Sequence, residues 1–253
     1  NITKALIFSK IYYGSSIYMG GWKINTNKIR TCYNKSIKKA MGFTQNTPSH
    51  IIYSEAGILP LELQVELLTV KDILKSIHNK NTNKDTISNY LSLKTRFKNP
   101  KSYLHRIVHK HRNIFQNINE DLSDNLVKLR EIIWEDWKNE FVKQGQEKGK
   151  FYCRRTEVPR RTNWKELKRF KNYEAKIVNR VRAGYCIKME QEDYICQFCN
   201  IKNDFIHKIF YCKQFNNSRR RYKFLQSSIV EMNWNMNVYK DILNFIKDNN
   251  IVI

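Results

Sequence analysis

The sequence predicts a mainly α-helical protein, and three observations lead there. Glycine (8) and proline (4) are scarce in 253 residues, which argues against a turn-rich sandwich or barrel. Apolar side chains, 41% of the chain, recur at three- and four-residue spacing in several stretches. Capping residues and glycines bracket those stretches. The apolar content is enough for a packed core, which excludes a wholly disordered chain.

Taken in order, residues 2–13 read as a helix ending before Gly14. Asn27 is placed to cap a helix with Ile29, Cys32, Tyr33, Ile37, Ala40 and Met41 on one face, stopped by Gly42. Thr47-Pro48 pairs an N-cap with proline at the first helical position, and Gly57 ends that short helix. Pro60 opens a long apolar helix through Leu63, Leu67, Val70, Leu74 and Ile77. The polar stretch 79–88 (NKNTNKDTIS) reads as a linker. Ser123 caps a helix carrying Leu126, Leu129, Ile133, Trp137 and Phe141, closed by Gly145. Thr162 caps a helix over 162–183. Its apolar set (Leu167, Phe170, Tyr173, Ile177, Val178, Val181) lies opposite Lys165, Lys168, Arg169, Lys171, Lys176, Arg180 and Arg182. The aromatics Trp164, Phe170 and Tyr173 are read as core. No solenoid-type repeat is present. The expected organisation is a helical domain 1–78, a linker or irregular helical stretch 79–122, and a basic helical and metal-binding domain 123–253.

Lysine and arginine exceed aspartate and glutamate by 23, and the surplus is uneven. Residues 143–188 hold 15 basic and 4 acidic side chains, nearly half of the net charge. A surplus of that size implies a polyanionic partner, RNA and/or DNA, and disfavours a generic small-molecule enzyme. The expected phosphate contacts are Arg154, Arg155, Arg160, Arg161, Lys165, Lys168, Arg169, Lys176, Arg180 and Arg182. Such contacts give affinity without choice of sequence. No stretch approaches the roughly 18 apolar residues of a membrane span. NITKALIFSK lacks the basic and apolar regions of a signal peptide, and without a starting Met the chain reads as a fragment or processed product. Cysteine usage fits an intracellular compartment, nucleus and/or cytoplasm, and Lys148 to Arg161 has the density of a nuclear import signal.

The strongest local signal is Cys196, Cys199, His207 and Cys212, spaced C-x2-C-x7-H-x4-C. Two cysteines three apart can curl a turn around one Zn²⁺, with backbone N–H groups aimed at the sulfurs. A histidine and a third cysteine complete a tetrahedron with no open position, so the predicted zinc site is structural and no catalytic residue is assigned. Three thiolates and a neutral imidazole leave one net negative charge, which Lys202, Lys208 and Lys213 can offset. His207 and Cys212 are five apart and cannot share one face of a regular helix, so one belongs at a helix end or in a turn. Cys186 is an alternative ligand. Cys32 and Cys153 read as ordinary thiols, and His105, His109 and His111, in the basic run HRIVHKHR, as solvated or near phosphate.

Several segments together resemble the C-terminal part of a non-LTR (LINE-type, jockey-like) retrotransposon reverse transcriptase. They are Tyr13-Gly14, Thr47-Pro48, Glu55-Ala56-Gly57 and Leu59-Pro60-Leu61, then the Trp-rich basic stretch 134–164. Arg180-Val181-Arg182-Ala183-Gly184-Tyr185 resembles the family's Arg-Leu-Arg-Thr-Gly-His run. The Cys/His knuckle follows, with Phe205 to Phe210 in place of Glu-His-Ile-Leu-Phe, and NFIKDNNIVI resembles the end of such chains. The resemblance implies that residues 1–78 form a helical thumb-like bundle ahead of a zinc knuckle. Tyr185 and Asp204-Phe205 depart from the family's pattern. The chain also contains no Asp-Asp pair of the kind that holds two metal ions for nucleotidyl transfer. Residues 79–142 are too short and too helical for an RNase H domain, and only 41 residues follow Cys212. No complete active site is read here, although the parent family is an RNA-directed DNA polymerase. The expected function is a nucleic-acid-binding fragment or remnant of such an enzyme. The alternative is a zinc-stabilised protein-interaction module derived from one.

Overall fold

The computed structural model describes residues 8–13, 23–78, 103–116, 121–153, 156, 159, 167–184, 195–226 and 235–251. Among these the fold is mainly α, with no strand beyond a single β-bridge. The helices are α1 (Ser9–Tyr12), α2 (Lys23–Met41), α3 (Ser49–Ala56), α4 (Leu61–His78), α5 (Tyr103–Lys110), α6 (Arg112–Gln116) and α7 (Leu122–Glu147). They continue with α8 (Lys150–Cys153), α9 (Asn172–Ala183), α10 (Asn216–Arg219) and α11 (Met236–Asp248). No described helix is long and apolar enough to cross a membrane. The chain divides into two compact units, Asn1–Ser36 with Leu59–Glu140, and Ile37–Ile58 with Phe141–Ile253.

The first unit has an aliphatic core. Val70, Leu74 and Ile77 of α4 meet Ile107 and Val108 of α5, Ile114 and Phe115 of α6, and Leu129 and Ile133 of α7. The periodicity of α4 and α7 is the cause, since every third or fourth residue faces inward. Beside this core, Glu66 accepts from Lys110 Nζ at 2.6 Å and lies 2.7 Å from His111 Nε2. Lys110 also pairs with Asp136 at 2.7 Å. Burial pushes the Glu66 carboxyl up, but His111 and Lys110 outweigh it and hold it below its usual range. His111, expected near phosphate, is therefore a core residue, 2% exposed. Phe8, Tyr12 and Tyr33 pack their rings together, and the Tyr33 hydroxyl donates to the Leu59 carbonyl at 3.1 Å.

The second unit centres on Val181, Ile209, Phe210, Val238, Ile242 and Phe245. α3 is buried from His50 to Ala56 and ends where Gly57 takes the left-handed conformation. α11 is capped by Asn235, whose side chain accepts from the N–H groups of Asn237 and Val238. Its buried Val238, Tyr239, Ile242, Phe245 and Ile246 form one stripe.

Several helix bounds differ from expectation. α2 starts before Asn27, so Asn27 is inside the helix and accepts from Arg30. Pro48, not Thr47, is the N-cap of α3. α7 begins one residue before Ser123 and runs through Gly145 to Glu147. The helix continues through Gly145, where a Cβ would come within 2.6 Å of the Cys153 sulfur, so that a larger residue would force that side chain to shift. The expected helix over 162–183 is interrupted: Leu167 is helical, residues 168–170 form a turn, and the helix resumes at Asn172, while residues 162–166, with Thr162 and Trp164, lie outside the described residues. The Lys171 N–H is taken by the Glu174 carboxylate at 2.8 Å, which sets the new start. Phe170 packs on Tyr239 as core, whereas Tyr173, also expected in the core, is exposed. The stretch 79–88 and the helix start at 2–7 lie outside the described residues.

Candidate metal centre

A short reversal places the first two cysteines. Ile195 and Lys202 form an antiparallel bridge, and the Cys196 N–H donates to the Ile201 carbonyl at 2.9 Å. The turn between them closes through Asn200 N–H to Cys196 carbonyl at 2.8 Å, with Asn200 in the left-handed region (φ 54°). Asparagine tolerates that conformation better than most side chains. The N–H groups of Phe198 and Cys199 point at the Cys196 sulfur, and the Lys213 N–H donates to the Cys199 sulfur at 3.2 Å.

The other two ligands solve the five-residue spacing by a local change of helix type. Residues His207–Tyr211 wind as a π-helix, and the Cys212 N–H donates to the His207 carbonyl at 2.7 Å. An i→i+5 bond brings residues five apart about one turn apart, which a regular helix would not. Cys212 itself is extended and stands at the helix end. Asp204 fixes the start by accepting the His207 N–H at 2.8 Å.

The four ligand atoms lie within 4.8 Å of one another, the one such group among the described residues. A Zn–S bond of about 2.3 Å at tetrahedral angles separates two sulfurs by about 3.8 Å. Cys196 and Cys212 stand 3.6 Å apart, close to that spacing. Among the described residues, neither of the two buried ring nitrogens of His207 has a hydrogen-bond partner. An unsatisfied buried nitrogen costs about 1–3 kcal/mol, which a coordinated metal would offset at one of them. Burial pushes the Cys196 thiol up, but the adjacent His207 ring and the N–H groups of Phe198 and Cys199 pull it down to about 6. Burial raises the Cys212 thiol to about 11, reinforced by the neighbouring sulfurs. The residues therefore fit one cation held by three sulfurs and one imidazole, the donor set of a closed structural site.

One charged neighbour was not expected from the sequence. Arg219 is buried and donates to the carbonyls of Lys208, Ile209 and Cys212 and to Asn216 Oδ1. It satisfies the carbonyls at the end of the π-helix and sets a positive charge near Cys212 and Cys199. Its place seven residues after Cys212, about two helical turns, is the only sequence signal.

The basic residues fall into three groups. Lys168 and Arg169 are exposed. Lys176 and Arg180 are half-buried; Arg180 Nε donates to the Gly42 carbonyl at 2.8 Å, and Lys176 lies against Gly42. Arg182, expected to face phosphate, is instead 2% exposed. It donates to Glu55 Oε1 at 2.9 Å and to the Tyr239 hydroxyl at 2.7 Å, and burial forbids it a solvent-borne anion. Arg154, Arg155, Arg160, Arg161, Lys165 and the alternative ligand Cys186 lie outside the described residues. Cys32 is exposed and Cys153 half-buried. Comparison of the chain with protein-family models, with curated proteins and with solved structures finds no match.

Proposed function

We propose that this chain binds RNA or DNA through a basic surface braced by one structural zinc ion, as the C-terminal part of a reverse-transcriptase-like protein of the non-LTR kind would. The observation that carries the reading is the convergence of Cys196, Cys199, His207 and Cys212 directly after the most basic segment of the chain. Zinc is favoured over other first-row ions because thiolates and imidazole in a closed tetrahedral set suit a redox-silent, borderline-soft cation. The metal has no open position, so its role is to fold the turns and the π-helix that carry Lys202, Lys208 and Lys213, not to activate water. Lys168 and Arg169 project from a turn and are available to phosphate oxygens. Binding of this kind is sequence-tolerant and steeply salt-dependent.

The test is affinity of the zinc-loaded full chain for single-stranded RNA, single-stranded DNA and duplex DNA across a salt series, repeated after chelation. The reading expects tight binding at low salt, a steep loss with salt, and weaker binding without metal. Weak binding to all three at physiological salt contradicts it.

A further inference from the structure

We propose that the buried Arg219 is the counter-charge of the metal centre and a positioning residue for its ligands, so that it sets how tightly the ion is held. The proposal rests on the metal-binding part of the reading above and adds a residue outside the ligand set. Two arginines are buried among the described residues, Arg182 and Arg219. Arg182 has a carboxylate partner, Glu55 Oε1, at 2.9 Å. Arg219 is 6% exposed and pairs with no carboxylate among the described residues. A cation taken out of water without an anion is strongly destabilising. The negative groups that Arg219 faces are the sulfurs of Cys212 and Cys199.

The charge of the centre matches. A divalent ion held by three thiolates and a neutral imidazole carries one net negative charge, and one guanidinium cancels it. Lys202 and Lys213 are exposed, so water and salt weaken their field at the sulfurs. Lys208 is half-buried. Arg219 acts from inside the fold, where the effective dielectric is lower and one charge counts for more.

Hydrogen bonds hold that charge in place. One guanidinium nitrogen, Nη1, donates to the carbonyls of Lys208 at 3.4 Å and Ile209 at 3.3 Å. The other, Nη2, donates to the Cys212 carbonyl and to Asn216 Oδ1. Lys208 and Ile209 lie in the π-helix, and Cys212 is the residue that follows it. The guanidinium therefore grips the stretch of backbone that carries two ligands, His207 and Cys212. The planar fork of arginine reaches several acceptors at once, whereas a lysine ammonium gathers its donors at one point. One side chain thus spaces a ligand pair and balances its charge.

The experiment compares the full chain as wild type, Arg219→Gln and Arg219→Lys at one fixed pH. Zinc affinity is read by competition with a chromophoric chelator, and sulfur-to-metal charge transfer is read from the cobalt form. Glutamine keeps amide donors and loses the charge; lysine keeps the charge and loses the fork. Arg219→Gln should hold zinc about 10- to 100-fold more weakly, as is usual when a group supporting a metal ligand is removed. Its cobalt charge-transfer bands should move to longer wavelength, because sulfurs without a nearby cation give up electron density more easily. Arg219→Lys should lose less zinc affinity than Arg219→Gln and keep its bands nearer the wild-type position. Equal zinc loss in both variants with unmoved bands, or no loss in either, overturns the proposal and leaves the metal centre standing. Should Arg219→Gln not fold even with excess zinc, an Arg219→Lys chain that folds and binds zinc supports the counter-charge, and one that is equally unfolded overturns it. A wild type that binds no zinc overturns the metal centre and this proposal together.

Discussion

The aliphatic core of the first unit and the interior of the second hold their helices by different means. In the first, α4, α5, α6 and α7 meet through Val, Leu, Ile and Phe side chains, and the ionic cluster of Glu66, Lys110, His111 and Asp136 stands at its border. In the second, one polar network joins four helices through the interior. Arg182 of α9 donates to Glu55 of α3 and to Tyr239 of α11, and the Tyr152 hydroxyl of α8 donates to the same Glu55 oxygen at 2.7 Å. Ser54 meets Tyr152 at 2.8 Å. Apolar packing is non-directional and tolerates volume-conserving exchange of one apolar side chain for another. A buried ion pair tolerates neither loss of a partner nor a shift of position. The second unit, which holds the metal centre, is therefore the more exactingly specified of the two.

That contrast sets the order of expected effects. Replacing a metal ligand, Cys199→Ser, should destabilise the C-terminal part of the second unit by several kcal/mol, because metal binding and folding are linked there. Thermal unfolding with and without chelator checks it, and the variant should lose most of its response to chelation. Arg182→Met should cost about 3–5 kcal/mol by removing the cationic partner of Glu55 in the interior, where the Tyr152 hydroxyl remains as a neutral donor. Adding Glu55→Gln to it should recover part of that loss in a double-mutant cycle from denaturant unfolding. If the two single costs simply add, the pair is not coupled.

The border cluster of the first unit should matter less. Glu66→Gln should cost about 1–3 kcal/mol, since Lys110 and His111 lose a charge-assisted acceptor. The sign with pH follows from the lowered carboxyl of Glu66. Its contribution is fully present above the ordinary carboxylate range and is lost as pH falls through the lowered folded-state value. Stability measured from pH 7 down to pH 3 should therefore fall less steeply in Glu66→Gln than in wild type. The smallest effect on stability belongs to Lys168→Ala with Arg169→Ala, both exposed. It should instead lower the salt slope of nucleic-acid binding by up to about 2, equally for all sequences. A changed sequence preference would mean that these residues read bases.

The same contrast explains what was legible beforehand. Helices α4 and α7 follow from periodicity alone, because Val70, Leu74 and Ile77, then Leu129, Ile133, Trp137 and Phe141, repeat at helical spacing into an apolar interior. The metal ligands follow from spacing, because chemistry restricts which residues can surround one cation. The network is not legible that way. Glu55 and Arg182 lie 127 positions apart, and an arginine in a basic run reads as a surface cation until the fold buries it. His111 misleads for the same reason, since its basic neighbours hide a partner at Glu66. The π-helix at His207 resolves a spacing that periodicity forbids, and no single-residue signal announces a change of helix type. α11 is absent from the sequence expectations although Asn235 and its apolar stripe mark it by the same rules as α7.

The central claim is that one metal ion held by Cys196, Cys199, His207 and Cys212 braces the unit that grips nucleic acid. The most direct measurement is metal content of the purified full chain, followed by cobalt substitution and absorption spectroscopy. The account predicts one equivalent of zinc, and a cobalt form whose intense visible bands and sulfur charge transfer report tetrahedral three-sulfur, one-nitrogen ligation. These signals should vanish in Cys199→Ser. A chain that binds no metal tightly, or that binds it equally well as Cys199→Ser, would contradict it.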